Sequence, residues 1–513
     1  MNIPVVDLFA GPGGLGEGFS SVRSNAFTIL VSAEKDPFAH QTLTMRAYYR
    51  LLLREAPSRL SVYLNYCDAK NEKPWDESTK DLWLRAEQEA QLIELGSEDG
   101  NAKLDTILHE KLNISKPWVL IGGPPCQAYS LVGRSRNKGK ANYVPENDHR
   151  HFLYREYLRV IQKYRPAVFV MENVKGILSS RVNGDLIFHS ILRDLSDPDA
   201  AFGKSDSNSG YRILSLVKNV EFKRGDSPDS IDPRDFTIRS EEYGIPQARH
   251  RVILLGVRED ISIGHRKLLS KSNHEVTVQD VIHGLPPLRS RISGGIDDFD
   301  LWKKSVLDSV DYLKKNTSDA LLRRELDEAA KHISLNTQSG GLRVQLGKYQ
   351  GQVSGSGELN SWYAMNRPSV WLNHEARGHM ESDLRRYLFA AAFSKAHSVS
   401  PKGAEDFNID GLRPNHKNWE SGHFSDRFRV QLPNRPATTV TSHISKDGHY
   451  FIHYNPSQCR SLTVREAARI QTFPDNYFFQ GNRTQQFHQV GNAVPPYLAF
   501  QIGNVVFDLL RNK

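Results

Sequence analysis

The sequence predicts an α/β protein: a doubly wound, Rossmann-like sheet domain carrying a second domain. Three observations lead there. Residues 3–9 are an apolar run that enters Gly11-Pro-Gly13-Gly14-Leu-Gly16. Residues 118–121 are another, ended by Gly122 and Gly123. Residues 166–171 are a third, stopping at Glu172. Short continuous apolar runs bounded by turn residues read as strands buried on both faces, as in parallel sheets. Such sheets bind ligands beyond the carboxyl ends of their strands, so the residues after each run are where chemistry is expected.

Bulk properties narrow the class. The chain has 513 residues, too many for one ordinary domain. Its 67 Lys and Arg against 59 Asp and Glu leave a net charge of +8, which permits a polyanionic partner without requiring one. The three cysteines, Cys67, Cys126 and Cys459, lie far apart. That spacing disfavours a disulfide framework or a cysteine-rich zinc site and suits a reducing compartment. No apolar run approaches a membrane span, and the N-terminus lacks a basic-then-apolar leader. The expectation is a soluble cytoplasmic protein with no membrane partner.

In chain order, the glycine loop after the first strand satisfies GxGxxG, the setting in which backbone approaches a nucleotide-like ligand, although a plain tight turn has the same pattern. A second strand, residues 28–32, leads to Glu34. An acid about 20 residues beyond such a loop binds ribose hydroxyls, or is a solvated acid at a helix start. A third short strand is predicted over 61–66, ending at Cys67-Asp68. Residues 70–115 are polar and helical in pattern, an insertion to which no chemistry is assigned.

Cys126 follows Pro124-Pro125 at the end of the 118–121 strand. A cysteine there is either a nucleophile or a small buried hydrophobe. The stretch 131–149, with Arg134, Arg136, Lys138 and Lys140 and no apolar period, reads as a basic lid loop. An amphipathic helix is predicted over 152–163. Glu172, at the end of an apolar strand, suits a proton donor whose carboxyl is raised by desolvation. A helix-capping Glu172-Asn173 pair explains the same residues equally well.

Strands are predicted over 211–219 and 252–257. Between them Arg249 and Arg251 alternate at strand spacing and so face one way, an arrangement fit to clamp an anion or a carbonyl. Residues 262–430 lose the strand-then-glycine rhythm, with a helical stretch over 301–332 and a glycine-rich basic patch around Arg343 and Lys348. His374 and His379 invite a zinc-site reading. It is rejected, because a five-residue step turns about 140° around a helix. A β pattern returns at 435–441, helix at 462–472, and an apolar helix closes the chain near Leu510.

Six stretches, in this order, resemble the DNA (cytosine-5) methyltransferases: Asp7-Leu-Phe-Ala-Gly-Pro-Gly-Gly-Leu-Gly, Gly123-Pro-Pro-Cys-Gln-Ala-Tyr-Ser, Met171-Glu-Asn-Val, Gln247-Ala-Arg-His-Arg, Arg435-Pro-Ala-Thr-Thr and Gln489-Val-Gly-Asn-Ala-Val. They span nearly the whole chain. A nicotinamide oxidoreductase, the other owner of such a glycine loop, does not explain the Pro-Pro-Cys, Met-Glu-Asn-Val or Gln-x-Arg-x-Arg stretches.

The resemblance implies methyl transfer from S-adenosylmethionine to C5 of a cytosine flipped out of duplex DNA. Cys126 is then the nucleophile, Glu172 the proton donor at N3, and Arg249 and Arg251 the pair near the base. It assigns Asp7, Phe9, Gly11, Pro12, Gly13, Gly14, Glu34, Asp68, Pro124, Leu153 and Asn492 to the cofactor pocket, with Glu34 on the ribose and Asp68 on the adenine edge. The Pro124 carbonyl would also read the exocyclic amine of the base. Pro124 departs from the aromatic often found in that slot, a variation also seen in the family. The implied organisation is a catalytic domain of residues 1–261 and 486–513 with a target-recognition domain over 262–485, its base reader within 262–430.

The implied setting is a bacterial restriction-modification system, with a monomeric enzyme and a cognate endonuclease. Two rivals are a tRNA cytosine methyltransferase, against which the long reader segment speaks, and a silent DNA-binding regulator, against which the intact Cys126, Glu172 and Arg249 speak.

Overall fold

A computed structural model describes residues 2–23, 26–125, 149–182, 185–204, 209–264, 267–414, 419 and 426–511. Its centre is a nine-stranded sheet. In chain order the strands are β1 (Ile3–Leu8), β2 (Phe27–Glu34), β3 (Ala90–Leu92), β4 (Val119–Gly122), β5 (Val168–Val174), β6 (Tyr211–Leu214), β7 (Glu221–Phe222), β8 (Thr237–Arg239) and β9 (His250–Arg258). Their spatial order is β3-β2-β1-β4-β5-β9-β6-β7, with β8 paired to β9. The pairings from β3 to β5 are parallel, and those made by β9 and between β6 and β7 are antiparallel. The chain runs outward from β1 through β2 to β3, then restarts at β4 on the other side of β1. That reversal opens a crevice beyond the carboxyl ends of β1 and β4.

Continuous apolar strands make sense here because both faces are covered. Val119 and Ile121 point into one core with Phe19, Phe27, Val170, Leu498 and Ile502. Leu120 points into the other with Val6, Leu8, Tyr157, Ile161 and Phe169. The first face carries α1 (Gly14–Ser20) and the closing helix Pro496–Arg511. The second carries Glu98–Lys111, His149–Tyr164 and Ile187–Ser196. The stretch 483–511 is long and apolar enough to cross a membrane by length and composition, but most of its apolar 18-residue window is buried inside the protein.

Two predictions about the first half are corrected. Residues 61–66 are not a strand: Leu60–Cys67 is a helix, with Tyr63 and Cys67 buried four residues apart on one face. The third strand is Ala90–Leu92, inside the stretch assigned as an insertion, and it pairs parallel to β2. The helix Glu98–Lys111 likewise gives Leu104 and Leu108 to the sheet's core. Smaller differences concern extents. The strand predicted over 211–219 ends at Leu214, and the stretch 301–332 is two helices, Phe299–Asn316 and Ala320–Ile333, the second capped by Asp319.

Beyond β9 the chain builds two further cores. One packs the helices Phe299–Asn316, Ala320–Ile333 and Glu381–His397 against Phe407, Trp419 and Phe428. The other joins the hairpin strands Gly340–Gln345 and Val370–Glu375, through Val344 and Trp371, to the helices Val464–Ile470 and Arg483–Asn492. His374 lies on a hairpin strand, not on a helix. Its Nδ1 is 2.9 Å from the Thr463 hydroxyl and its Nε2 2.9 Å from the Pro286 carbonyl. No metal-binding cluster occurs among the described residues.

Candidate active site

The glycine loop leaves β1 through three left-handed residues, Phe9 (φ 57°), Gly11 (φ 57°) and Gly13 (φ 93°). This backbone turns the chain sharply into α1. At Gly11 an added Cβ would project into open space. At Gly14 a side chain would collide with the Val494 carbonyl, so only glycine lets α1 start against the closing segment. The loop is tied to β2 by Glu34. Its Oε2 accepts from the Gly11 amide (2.8 Å), and its Oε1 accepts from the Lys35 (2.9 Å) and Asp36 (2.8 Å) amides.

In front of this loop lies a cleft of about 470 Å³. Every parallel strand contributes to its wall from its carboxyl end: Phe9 to Pro12, Gly14 and Leu15 after β1, Glu34 to Asp36 at β2, Ile93 and Leu95 after β3, Gly123 to Pro125 after β4, and Glu172 to Val174 at β5. Leu153 reaches it from the helix His149–Tyr164, packed at Gly96, where a Cβ would lie 3.0 Å from its Cδ2. Thr441, Ser442, His488 and Asn492 complete the wall from the other half of the chain.

At the far end of the cleft sits a charged group. Arg251 Nε is 2.8 Å from Glu172 Oε1, an ion pair held by the neighbouring strands β9 and β5, whose register sets Arg251 opposite Val174. Arg249 is 2% exposed; its Nη1 donates to the Val440 carbonyl (2.8 Å) and to that of Gly491 (3.4 Å), and its Nε has no partner among the described residues. Burial pulls the Arg249 guanidinium well below its ordinary range, Arg251 adds to this, and Glu172 opposes it. Arg251 is lowered by burial, again with Glu172 opposing. A side chain on Gly123 would come 3.1 Å from Glu172 Oε2, so glycine there leaves room for the carboxylate. The Pro124 carbonyl accepts from Asn173 Nδ2 at 3.4 Å.

The structure thus brings Phe9, Gly11, Pro12, Gly14, Glu34, Pro124, Leu153, Glu172, Arg249, Arg251 and Asn492 around one cavity. Three expected site residues are not in its wall. Gly13 turns its Cα toward Leu43 and Tyr477 and serves as the N-cap of α1. Asp7 is fully buried beneath the loop, its carboxyl oxygens without a hydrogen-bond partner among the described residues. Burial pushes its pKa up to about 8, with Arg50 opposing. Asp68 ends a helix rather than a strand, and so misses the crevice; it accepts from the Ser369 amide (2.9 Å) and hydroxyl (2.6 Å). Cys126 and the basic stretch 131–148 lie outside the described residues, immediately after the Pro124-Pro125 edge of the cleft.

Sequence reasoning missed Ile93, Leu95, Thr441, Ser442 and His488. For the first two a signal existed: the run Leu92 to Leu95 ends at Gly96, the same strand-then-glycine pattern that marked the other strands.

Comparison with known proteins points the same way. The profile of the C-5 cytosine-specific DNA methylases matches residues 97–199 and 236–508. The Type II methyltransferase M.Bpa9945I of Bacillus paralicheniformis is 32% identical, with 99% of each chain aligned. The Type II methyltransferase M.DdeI of Desulfomicrobium norvegicum is 24% identical over 96% of this chain and 86% of that protein. The DNA (cytosine-5-)-methyltransferase M.ApeKI of Aeropyrum pernix is 26% identical over 76% of this chain and 81% of its own. A match over most of the length, together with a relative above 30% identity end to end, makes this chain a member of the C-5 cytosine-specific DNA methylase family.

Proposed function

We propose that this protein methylates C5 of a cytosine within a specific duplex DNA sequence, as the modification enzyme of a restriction-modification system. The observation that carries the reading is one cleft walled by the glycine loop and Glu34 at one end and by Glu172, Arg251 and Arg249 at the other, with Cys126 next in sequence to its Pro125 edge. The relatives named Type II methyltransferases support the restriction-modification setting. A cognate endonuclease and a monomeric enzyme are part of the same proposal.

The cleft fits S-adenosylmethionine. Its volume is in the range of small-ligand sites, about 300–1,000 Å³. Phe9, Ile93 and Leu95 offer apolar surface to a flat ring, Glu34 offers a carboxylate to ribose hydroxyls, and Gly11 leaves its Cβ space open. When bound, this cofactor supplies an electrophilic methyl group. The chain's own residues make the cytosine able to accept it. The base leaves the duplex, at a cost of a few kcal/mol, and enters the Glu172 end of the cleft. The Cys126 thiolate adds to C6, while Glu172 delivers a proton to N3, so that electron density moves to C5. Arg249 and Arg251 hold the ring and Glu172 in place. After C5 has gained the methyl group, water takes the C5 proton, the C5–C6 double bond re-forms as the Cys126 thiolate leaves C6, and N3 returns its proton to the Glu172 carboxylate.

Methyl transfer from labelled S-adenosylmethionine tests this, with duplex DNA and tRNA as competing acceptors. Label is expected in the DNA; label in tRNA alone would overturn the proposal. Cys126→Ala is expected to abolish transfer while retaining cofactor and DNA binding. With 5-fluorocytosine at the target, the wild type is expected to form an adduct that survives denaturation. The same adduct in Cys126→Ala would remove Cys126 from the mechanism.

A further inference from the structure

The glycine loop that walls the cleft is gripped from behind by the C-terminal part of the chain. Tyr477 is fully buried, and its hydroxyl donates to the carbonyl of Pro12. Gly13, the next residue, approaches so closely that a Cβ there would lie 3.1 Å from the Tyr477 hydroxyl oxygen. Tyr477 is itself fixed from three sides. Arg46 stacks between its ring (4.3 Å) and that of Tyr49 (4.1 Å), and ion-pairs with Glu17 of α1 (2.6 Å). Arg46 Nη1 also donates to the Asn476 side chain (2.9 Å). Arg465, in the helix Val464–Ile470, donates to the carbonyls of Pro474 (3.2 Å) and Tyr477 (2.5 Å).

We propose that Tyr477 is a positioning residue for the cofactor: it holds the Pro12 carbonyl from outside the sheet domain and so keeps the glycine loop in its ligand-binding shape. The inference rests on reading the cleft as the S-adenosylmethionine site. Its physical basis is that the loop turns through Phe9, Gly11 and Gly13 at positive φ: for Phe9 that conformation persists only where its surroundings enforce it, and the two glycines leave the loop free to take other shapes unless outside contacts hold it. Among the described residues the loop's other hydrogen bonds are the Gly11 amide to Glu34, the Gly13 amide to the Ala10 carbonyl, the Ala10 amide to the Ala33 carbonyl and the Glu17 amide to the Gly13 carbonyl. Among the described residues, the bond from Tyr477 is the one that reaches the Pro12 carbonyl. Without it, a buried acceptor is orphaned in the middle of the loop, and the loop relaxes at the expense of ligand affinity.

Tyr63 provides a matched control. It is equally buried and its hydroxyl donates to the Asn476 carbonyl (2.8 Å), in the same network but with no hydrogen bond to the loop among the described residues. The experiment is isothermal titration of the full-length protein with S-adenosylhomocysteine, alongside steady-state kinetics on duplex DNA. Tyr477→Phe keeps the ring that stacks on Arg46 and removes one buried hydrogen bond, so Kd for S-adenosylhomocysteine and KM for S-adenosylmethionine are expected to rise about five- to tenfold. The kcat and the KM for DNA are expected to stay within about twofold of wild type, the signature of lost binding rather than lost chemistry. Tyr63→Phe is expected to lower the unfolding midpoint and leave the ligand Kd within about twofold. Unchanged ligand affinity in Tyr477→Phe, or equal weakening in Tyr63→Phe, would overturn the positioning role. A wild-type protein that does not bind S-adenosylhomocysteine would overturn the reading of the cleft, and the inference with it.

Discussion

Arg460, Arg465 and Arg469 around the helix Val464–Ile470 are as deeply buried as Arg249 beside the cleft, yet the two settings use their guanidinium groups differently. Arg460 meets both oxygens of Glu466 (2.7 and 2.6 Å) and also donates to the carbonyls of Leu288 and Ser461. Arg465 donates to three carbonyls, those of Leu372, Pro474 and Tyr477. Arg469 takes Asp475 together with the carbonyls of Val281 and Gly351. In the cleft, Arg249 Nε has no hydrogen-bond partner among the described residues, and the Glu172–Arg251 pair faces a cavity. Burial of charge therefore does not mark function in this protein. Saturated charges are structural; those with spare hydrogen-bonding capacity facing open space are the ones available to a ligand.

The largest stability effect is expected where saturation is complete. Glu466→Gln removes the charge opposite Arg460, with both groups 1% exposed, and leaves that arginine uncompensated. Breaking one side of such a pair costs about 3–5 kcal/mol. Urea unfolding of the variant measures it. A loss under about 1 kcal/mol would put this pair with ordinary surface ion pairs and dissolve the contrast.

Glu172→Gln is expected to behave in the opposite sense, with a large loss in rate and a smaller one in stability. If the carboxyl delivers a proton, kcat falls by roughly 10²-fold or more, while cofactor affinity barely changes. Because the pair borders a cavity, water can replace what Arg251 loses, so the stability cost should stay below that of Glu466→Gln. Single-turnover methylation together with urea unfolding separates the two effects. A near wild-type rate would leave Glu172 as no more than the structural partner of Arg251.

Acid should attack the saturated region first. Burial lowers His374 to about 4 and His453 to about 3, with Glu466 opposing in both cases and Arg460 reinforcing. Both folded values lie below the unfolded value of about 6.5, so the unfolded chain binds more protons in between. Stability is thus complete above about pH 6.5 and is lost as pH falls toward 4, by up to about 1.4 kcal/mol per pH unit for each histidine. Unfolding midpoints measured from pH 7 to 5 should fall accordingly. A flat profile would mean that these histidines take up no extra protons on unfolding.

The contrast also explains what was legible in the sequence. The cleft was legible in part because several of its residues follow apolar runs: a strand end needs only local pattern, and Glu34 and Glu172 were found that way, Arg249 and Arg251 by their alternation ahead of a strand, and Phe9 only through the resemblance. Asp68 was misplaced for the same reason, because a short apolar stretch suits a helix as well as a strand, and Leu60–Cys67 is a helix. Ile93 and Leu95 were hidden in a polar, helix-like surrounding. Thr441, Ser442, His488 and Tyr477 reach the loop and cleft from several hundred residues away. No local pattern encodes such a contact.

The glycine-rich patch at Arg343 gives the comparison its finest test. In the sequence it is a basic patch inside the stretch 262–430 expected to hold the base reader. In the fold Arg343 is committed internally: Nε donates to the Cys67 carbonyl (2.7 Å), Nη2 to that of Tyr66 (3.1 Å), and the guanidinium stacks 4.9 Å from the Phe478 ring centroid. It caps the C-terminal carbonyls of the helix Leu60–Cys67 and fastens the hairpin to the sheet domain, as the Asp68–Ser369 bonds do beside it. By the rule of saturation it is structural. Arg343→Ala should cost roughly 1–2 kcal/mol of stability, the scale of a charge-assisted hydrogen bond at a partly buried site. Bisulfite sequencing of DNA methylated by the variant should return the wild-type recognition sequence at every position. If one position relaxes instead, Arg343 reads a base despite its internal bonds, and saturation fails as a criterion for separating structural from functional charge in this protein.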